Sequence, residues 1–283
     1  YVGGPGTDDQ RPRLTMSEAL EILGKRPPAQ PFFLTVFFMN PHYPYAPHQQ
    51  RFGDKGAGPS NPGPINEYDA EIWEADEQVG RLLDFLANAG HADDTIVVFS
   101  SDHGEEFGDH GKRFHGDTLY DCAINVPLVI AGLDRVGRFP GLVREVDLMP
   151  TLLDYLGIEI EQPLAAQMAG VSVRRFLEPG VDATGLIAHS QSRFRDNTHL
   201  VSERSESRKV IADLQGGRAM IFDLVADPQE YCDLATAETS AAELARLAAW
   251  ESELEVAAPD AGPTEAVPEE VLERLRAAGY LGD

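Results

Sequence analysis

Two cysteines, Cys122 and Cys232, are too few for a disulfide framework, and they leave the redox compartment open. Cationic side chains are scarce too. The 283 residues hold 23 Lys and Arg against 47 Asp and Glu, a formal net charge of -24. So acidic a surface argues against nucleic acid or an anionic membrane as partner. An anionic substrate must then be drawn in by a metal or a few local cations, against the overall field. No run of about 18 apolar residues occurs, so no transmembrane helix is expected. The first thirty residues hold no apolar signal-peptide core, and the chain starts at Tyr1 without Met. An N-terminus set by processing or truncation is therefore expected. There is no internal repeat.

What is present concentrates between Thr95 and Pro127. Thr95 to Phe99 is a short β-branched and aromatic run, the pattern of a buried strand. It stops at Ser100-Ser101, and Asp102, His103, Glu105 and Glu106 follow at once, with His110 and His115 a few residues later. Gly104, Gly108, Gly111 and Gly116 punctuate this run, which makes it a shaped loop and not a helix. Ligands of open α/β sheets bind beyond the carboxyl ends of strands. A carboxylate beside an imidazole at such an end is half of a metal site. The plainer alternative is a strand-ending turn with Asp102 as a helix cap. The density of acids, imidazoles and glycines favours the site.

Upstream, a weak helix spans Thr15 to Leu23. Pro31 to Asn40 is a continuous apolar run, expected as a strand buried on both faces. The prolines after it set a rigid loop that presents His42, while His48 and Arg51 read as solvated loop residues. An irregular loop over 51–66 leads into an amphipathic helix from about Asn66 to Ala89. Its apolar face is Tyr68, Ile72, Val79, Leu82, Leu83 and Leu86, with Glu71, Glu74, Asp76, Glu77 and Asp84 on solvated faces and Gly90 as the cap. Strand, helix and strand in this order imply a parallel βαβ unit. Downstream lie a short strand over Val126–Ala131 and a helix from Leu148 closed by Gly157, with Asp147 as its cap. From Gly185 four short alternating segments imply a small antiparallel sheet, with Gly216-Gly217 turning its last hairpin. A helix over Ser240–Glu255, a linker over 255–267 and a final helix over Pro268–Ala278 complete the reading.

Phe-Met-Asn-Pro-His42-Tyr-Pro-Tyr, Asp-Glu-Gln-Val-Gly-Arg-Leu-Leu, Ser-Ser-Asp102-His103-Gly-Glu, Gly-Asp-His-Gly and Asn-Val-Pro-Leu follow one another in order. Asp147-Leu-Met-Pro-Thr-Leu-Leu-Asp-Tyr-Leu-Gly, the Asp223-Leu-Val-Ala-Asp-Pro-Gln-Glu turn and the terminal Leu-Arg-Ala-Ala-Gly-Tyr-Leu-Gly complete the series. Together they resemble the C-terminal half of sulfatases of the alkaline phosphatase superfamily. The resemblance implies an α/β three-layer sandwich, here partial, with a small C-terminal antiparallel sheet and helix. Residues 1–180 would be the C-terminal part of the catalytic domain and 181–283 a small α+β subdomain.

The resemblance also implies chemistry. Asp102 and His103 match metal ligands, for calcium in the first instance, with Mn, Mg or Zn as alternatives because an imidazole ligand disfavours calcium. His42 matches a histidine that hydrogen-bonds sulfate and helps turn over the covalent intermediate. His115 stands where relatives carry a sulfate-binding Lys, and Lys112 is a substitute three residues away. The Cys/Ser-x-Pro-x-Arg motif, whose first residue becomes the formylglycine nucleophile, does not occur in these residues, nor does the paired-Asp metal motif. The expected activity is hydrolysis of a small-molecule or glycan sulfate ester by a whole protein of which this chain is a fragment. A phosphodiesterase, phosphonate monoester hydrolase or phosphoglycerol transferase is one alternative, and a non-catalytic binding chain is another. A periplasmic or extracellular location is implied by the resemblance only; the oligomeric state is left open.

Overall fold

The computed structural model describes residues 11–27, 29–43, 45, 63–134, 136–139, 141–177, 181, 185–194, 198–257 and 269. Two compact units emerge, one of residues 1–97 together with 263–283 and one of residues 98–262. The expected division at residue 180 lies inside the second unit. His48, Arg51, the loop over 51–62 and the expected helix over 268–278 lie outside the described residues, save Glu269.

The first unit is built on two helices, α1 (Arg11–Lys25) and α2 (Gly63–Asn88). Met16, Ala19 and Leu23 recur at helical spacing on α1 and are buried. Facing helices explain a difference from the sequence reading. Glu71 and Glu74 are buried, while Ile72 and Leu83 of the expected apolar face are exposed. Arg13 of α1 is the cause for Glu74. Its Nε and Nη2 donate to the two Glu74 carboxylate oxygens at 2.5 and 3.1 Å, and the Gln78 amide donates to Glu74 as well. A paired and hydrogen-bonded charge can be buried where a lone one cannot. Gly90 ends the helix region at φ 77°, the left-handed conformation expected of it.

Residues 31–39 form neither helix nor strand, and they join no ladder among the described residues. Pro31, Phe33, Thr35 and Phe37 are exposed in alternation, with Phe33 at 90%. The expected doubly buried strand and its parallel βαβ pairing are therefore not formed by these residues. An apolar run becomes a buried strand only where layers cover both its faces, and here alternate side chains meet solvent.

The second unit takes in β1 (Val97–Ser100) from its second residue on, then β2 (Glu106–Phe107), β3 (Arg113–Phe114), α3 (Asp121–Ile124) and β4 (Leu128–Ala131). β1 pairs with β4, and β2 with β3 in a small antiparallel hairpin. Helix α4 (Leu148–Leu156) starts where Pro150 falls in its first turn, and Gly157 closes it at φ 64°. Asp147 stands at its N-cap position as expected, but its side chain caps no N–H of this helix. Its fully buried carboxylate accepts hydrogen bonds from the Arg144 guanidinium and from the backbone N–H groups of Arg144 and Val171. The short helix α5 (Gln162–Ala165) follows.

The sheet foreseen near the C-terminus is there, in sequential antiparallel order: β5 (Ala188–Ser192), β6 (Leu200–Arg204), β7 (Arg208–Asp213) and β8 (Arg218–Asp223). Gly217 turns the last hairpin at φ 70°. Strand periodicity sends Val201, Val210, Ala212 and Ala219 to one face, where Leu247 of α6 (Ala237–Ala257) packs on them. Ile211 and Phe222 point to the other face and pack with Leu119 and Leu224. Both faces are thus covered, and β7 is buried from Lys209 to Ala212 without alternation.

Candidate active site

The loop between β1 and α3 is clamped at both ends. At its start, the Gly104 N–H donates to the Ala123 carbonyl at 2.8 Å. A Cβ at position 104 would lie 2.2 Å from the Cys122 carbonyl oxygen, so only glycine fits this approach. At its end, Gly116 adopts φ 90° beneath the Phe194 ring, and the Ser192 hydroxyl donates to its carbonyl. Tyr120 then packs edge-on to Phe222 and donates to Met220 Sδ.

Asp121 anchors this segment to the sheet. Arg204 grips its carboxylate with Nε and Nη2, and the fully buried Lys209 donates to it at 2.8 Å. Lys209 also pairs with Glu230 at 2.8 Å, and Glu230 accepts the Asp121 backbone N–H. Burial opposes ionisation of Asp121, but Arg204 and Lys209 outweigh it and hold the carboxyl below its ordinary value.

Within that clamp, His103 and His115 come together with Asp102 and with Glu105, another acid of the same run. Asp102 is exposed at the strand end, and its Oδ1 accepts the His103 backbone N–H. His103 Nδ1 lies 2.8 Å from the Gly104 carbonyl. A carbonyl only accepts, so Nδ1 carries the proton and Nε2 the lone pair. Nε2 lies 3.9 Å from Asp102 Oδ1, a span that two bonds of about 2.1–2.4 Å to one cation can bridge. The donor chemistry therefore fits a divalent ion held by Asp102 and His103. The His115 ring stacks on that of His103 at 3.8 Å, and its Nδ1 bonds the buried Glu105 carboxylate at 3.0 Å. Glu145 is electrostatically near. Burial first, and then the charge of Asp102, raise its carboxyl, with His103 opposing.

His42 belongs to the first unit. It sits half-buried in the turn that follows residues 31–39, its N–H bonded to the Met39 carbonyl and its Nδ1 2.6 Å from the Tyr43 carbonyl. Lys112 is exposed in the β2–β3 hairpin turn, where its charge acts on Glu106.

Glu106, His110 and Cys122 form a second cluster, which joins two groups of the glycine-punctuated run to a cysteine that the sequence reading gave no part in the site. Their donor atoms lie within 4.8 Å of one another. Burial raises the Glu106 carboxyl and lowers His110. Burial and then Glu106 push the Cys122 thiol up to about 12.

The sulfatase family model matches residues 6–158, more than half of the chain. The chain belongs to the sulfatase family. An arylsulfatase of Clostridium perfringens is 28% identical over 79% of this sulfatase chain and 53% of its own length. A choline-sulfatase of Rhizobium meliloti is 34% identical over 59% of this chain and 32% of its own. The chain thus spans only about half the length of the first of these relatives, or less for the second. A crystal structure of the Bacteroides fragilis protein yidJ, assigned as a sulfatase, superposes with a TM-score of 0.68 at 24% identity, over 96% of this chain and 61% of that one. The fold is accordingly that of the sulfatases, mixed α/β with antiparallel sheets. The family suggests a divalent metal ion.

Proposed function

We propose that the complete protein hydrolyses sulfate monoesters, and that this chain supplies part of its metal shell and its sulfate-facing histidines. The observation that carries this is the approach of Asp102 Oδ1 to His103 Nε2 at 3.9 Å, beside a His115 bonded to Glu105. A divalent ion, calcium in the first instance, would neutralise charge on the sulfuryl oxygens. His103 is oriented for it by the Gly104 carbonyl, the usual arrangement for a metal-binding imidazole. His115, oriented by its Nδ1 contact with Glu105, would face a sulfate oxygen. His42 is fixed through Nδ1 in the same way and would hydrogen-bond sulfate or move a proton through Nε2. Lys112 is a secondary sulfate contact. The nucleophile, a formylglycine, would come from outside these 283 residues. Relatives named arylsulfatase, choline-sulfatase and N-acetylglucosamine-6-O-sulfatase support a sulfated small molecule or glycan as substrate.

The test is a steady-state comparison of an aryl sulfate with an aryl phosphonate monoester, using the complete gene product. Preference for the sulfate is expected, with kcat/KM down by about a hundredfold or more in Asp102→Asn and His103→Ala. A preference for the phosphonate would replace the sulfatase reading by its superfamily alternative. No turnover of either ester would favour the non-catalytic one.

A further inference from the structure

The cluster of Glu106, His110 and Cys122 shares no donor with Asp102 or His103. It is also under-satisfied. Glu106 is 1% exposed, and its Oε2 has no hydrogen-bond partner among the described residues. Its Oε1 meets the weak Cys122 thiol donor at 3.8 Å, and the Thr118 hydroxyl lies near enough to the carboxyl to oppose its rise. The His110 ring makes stacking contacts, with Tyr120 at 3.6 Å and Tyr231 at 5.3 Å. A buried carboxylate oxygen left unpaired costs about 1–3 kcal/mol or more, and such a group calls for a reason.

The backbone holds the three donors together independently of one another. Gly108 at φ 105° and Gly111 at φ 77° bend the hairpin so that His110 returns toward Glu106. Stacking on Tyr120 fixes the plane of the imidazole. Cys122 lies in α3, which Gly104 grips from one side and Asp121, through Arg204 and Lys209, from the other. Acidic charge surrounds the place, since Asp109 and Glu230 both act on His110 and Cys122. One carboxylate, one imidazole and one thiol within a common radius are the donors of borderline metals such as zinc, and not of calcium or magnesium.

We propose that Glu106, His110 and Cys122 bind a zinc-class divalent ion, with solvent in the remaining coordination position. On binding, the Cys122 thiol proton passes to water and the thiolate becomes the ligand. The ion satisfies the Glu106 oxygen left unpaired and ties the hairpin to α3.

Cobalt serves as the probe, because a thiolate ligand gives it a near-ultraviolet charge-transfer band. The chelator-stripped 283-residue chain is titrated with Co²⁺, and zinc then displaces the cobalt. One equivalent with a thiolate band is expected. The band should be absent in Cys122→Ser and retained in Cys232→Ser. It should also be retained in the double variant Asp102→Asn/His103→Ala, which separates this site from the family's metal site. Zinc affinity should fall tenfold or more in His110→Ala and Glu106→Gln. A parent chain without the band, a band that survives Cys122→Ser, or zinc affinity unchanged in His110→Ala would each overturn the proposal.

Discussion

At position 104 a single methyl group would collide with the Cys122 carbonyl. Gly104→Ala should therefore cost about 1–3 kcal/mol through overpacking, read as a lower urea midpoint. Metal affinity should fall with it, because the Asp102-His103 turn shifts. A variant with parent stability would show that α3 can move aside. Lys209 is a sharper case. Its side chain is fully buried between Asp121 and Glu230. Lys209→Met leaves two buried carboxylates facing one remaining cation, Arg204, and should cost about 3–5 kcal/mol in urea unfolding. A loss under about 1 kcal/mol would mean that water already screens the pair. The thiols give a third measurement. Cys232 is exposed, whereas burial and acidic neighbours hold the Cys122 thiol near 12. In the metal-stripped chain at neutral pH, a disulfide reagent should modify exposed Cys232 at least tenfold faster than half-buried Cys122. Equal rates would refute the burial of Cys122. At this scale the sequence revealed Asp102, His103 and His115 because they follow a strand end in a glycine-punctuated run. It also named Glu105, Glu106 and His110 in that run, but it hid Glu145 and the place of Cys122 beside Glu106 and His110, since no spacing marks which groups fold inward together.

Elements were legible where periodicity and caps agreed. Leu148 to Gly157 has a proline in its first turn and a left-handed glycine at its end, and α4 keeps those limits. The four C-terminal strands were legible for the same reason. Their two-sided burial was not, because nothing local says that residues 119–124 cover one face while α6 covers the other. α2 misled because a helix face is called solvated from its charges, and Arg13 lies in another helix. Likewise the run over 31–39 looked like a core strand, yet layers and not composition bury a strand. Leu247 joins α6 to the sheet and is wholly buried among Val201, Val210, Ala212 and Ala219. Leu247→Ala should cost about 2–5 kcal/mol. The protection of β7 amides against hydrogen exchange should fall with it. If β7 protection stays unchanged, α6 is not what stabilises the sheet.

Across the whole molecule the net charge of -24 sets the background, and a few paired acids set the response to pH. Asp121 and Asp147 are held below the ordinary 3.8. Burial works against this, but Arg204 and Lys209 prevail at Asp121, and Arg144 with the Val171 N–H at Asp147. Between the folded and ordinary values the unfolded chain binds more protons, so stability rises with pH there. Their contribution is complete above about pH 5 and is lost as pH falls through the folded values. His189, stacked on Trp250, is lowered from 6.5 by burial, with Glu203 opposing. The unfolded chain takes up that proton first, so some stability is also lost as pH drops below 6.5. Urea unfolding across pH should show a shallow decline and then a steep one. His189→Gln should remove the shallow limb and Asp147→Asn should flatten the steep one. An acid limb identical in Asp147→Asn would place the acid lability elsewhere.

The clamp on the candidate loop limits what can be transplanted. Asp102, His103 and His115 lie close together in sequence, and a segment from Ser100 to Ile124 would carry all three into another scaffold. Their arrangement would not travel with them. Gly116 is seated under Phe194, and Asp121 is fixed by side chains from β6 and β7. A designer who moves this motif must bring the strands of residues 188–223 as well, or rebuild their floor. For the same reason, natural variation in those strands can retune this loop without altering any residue in it.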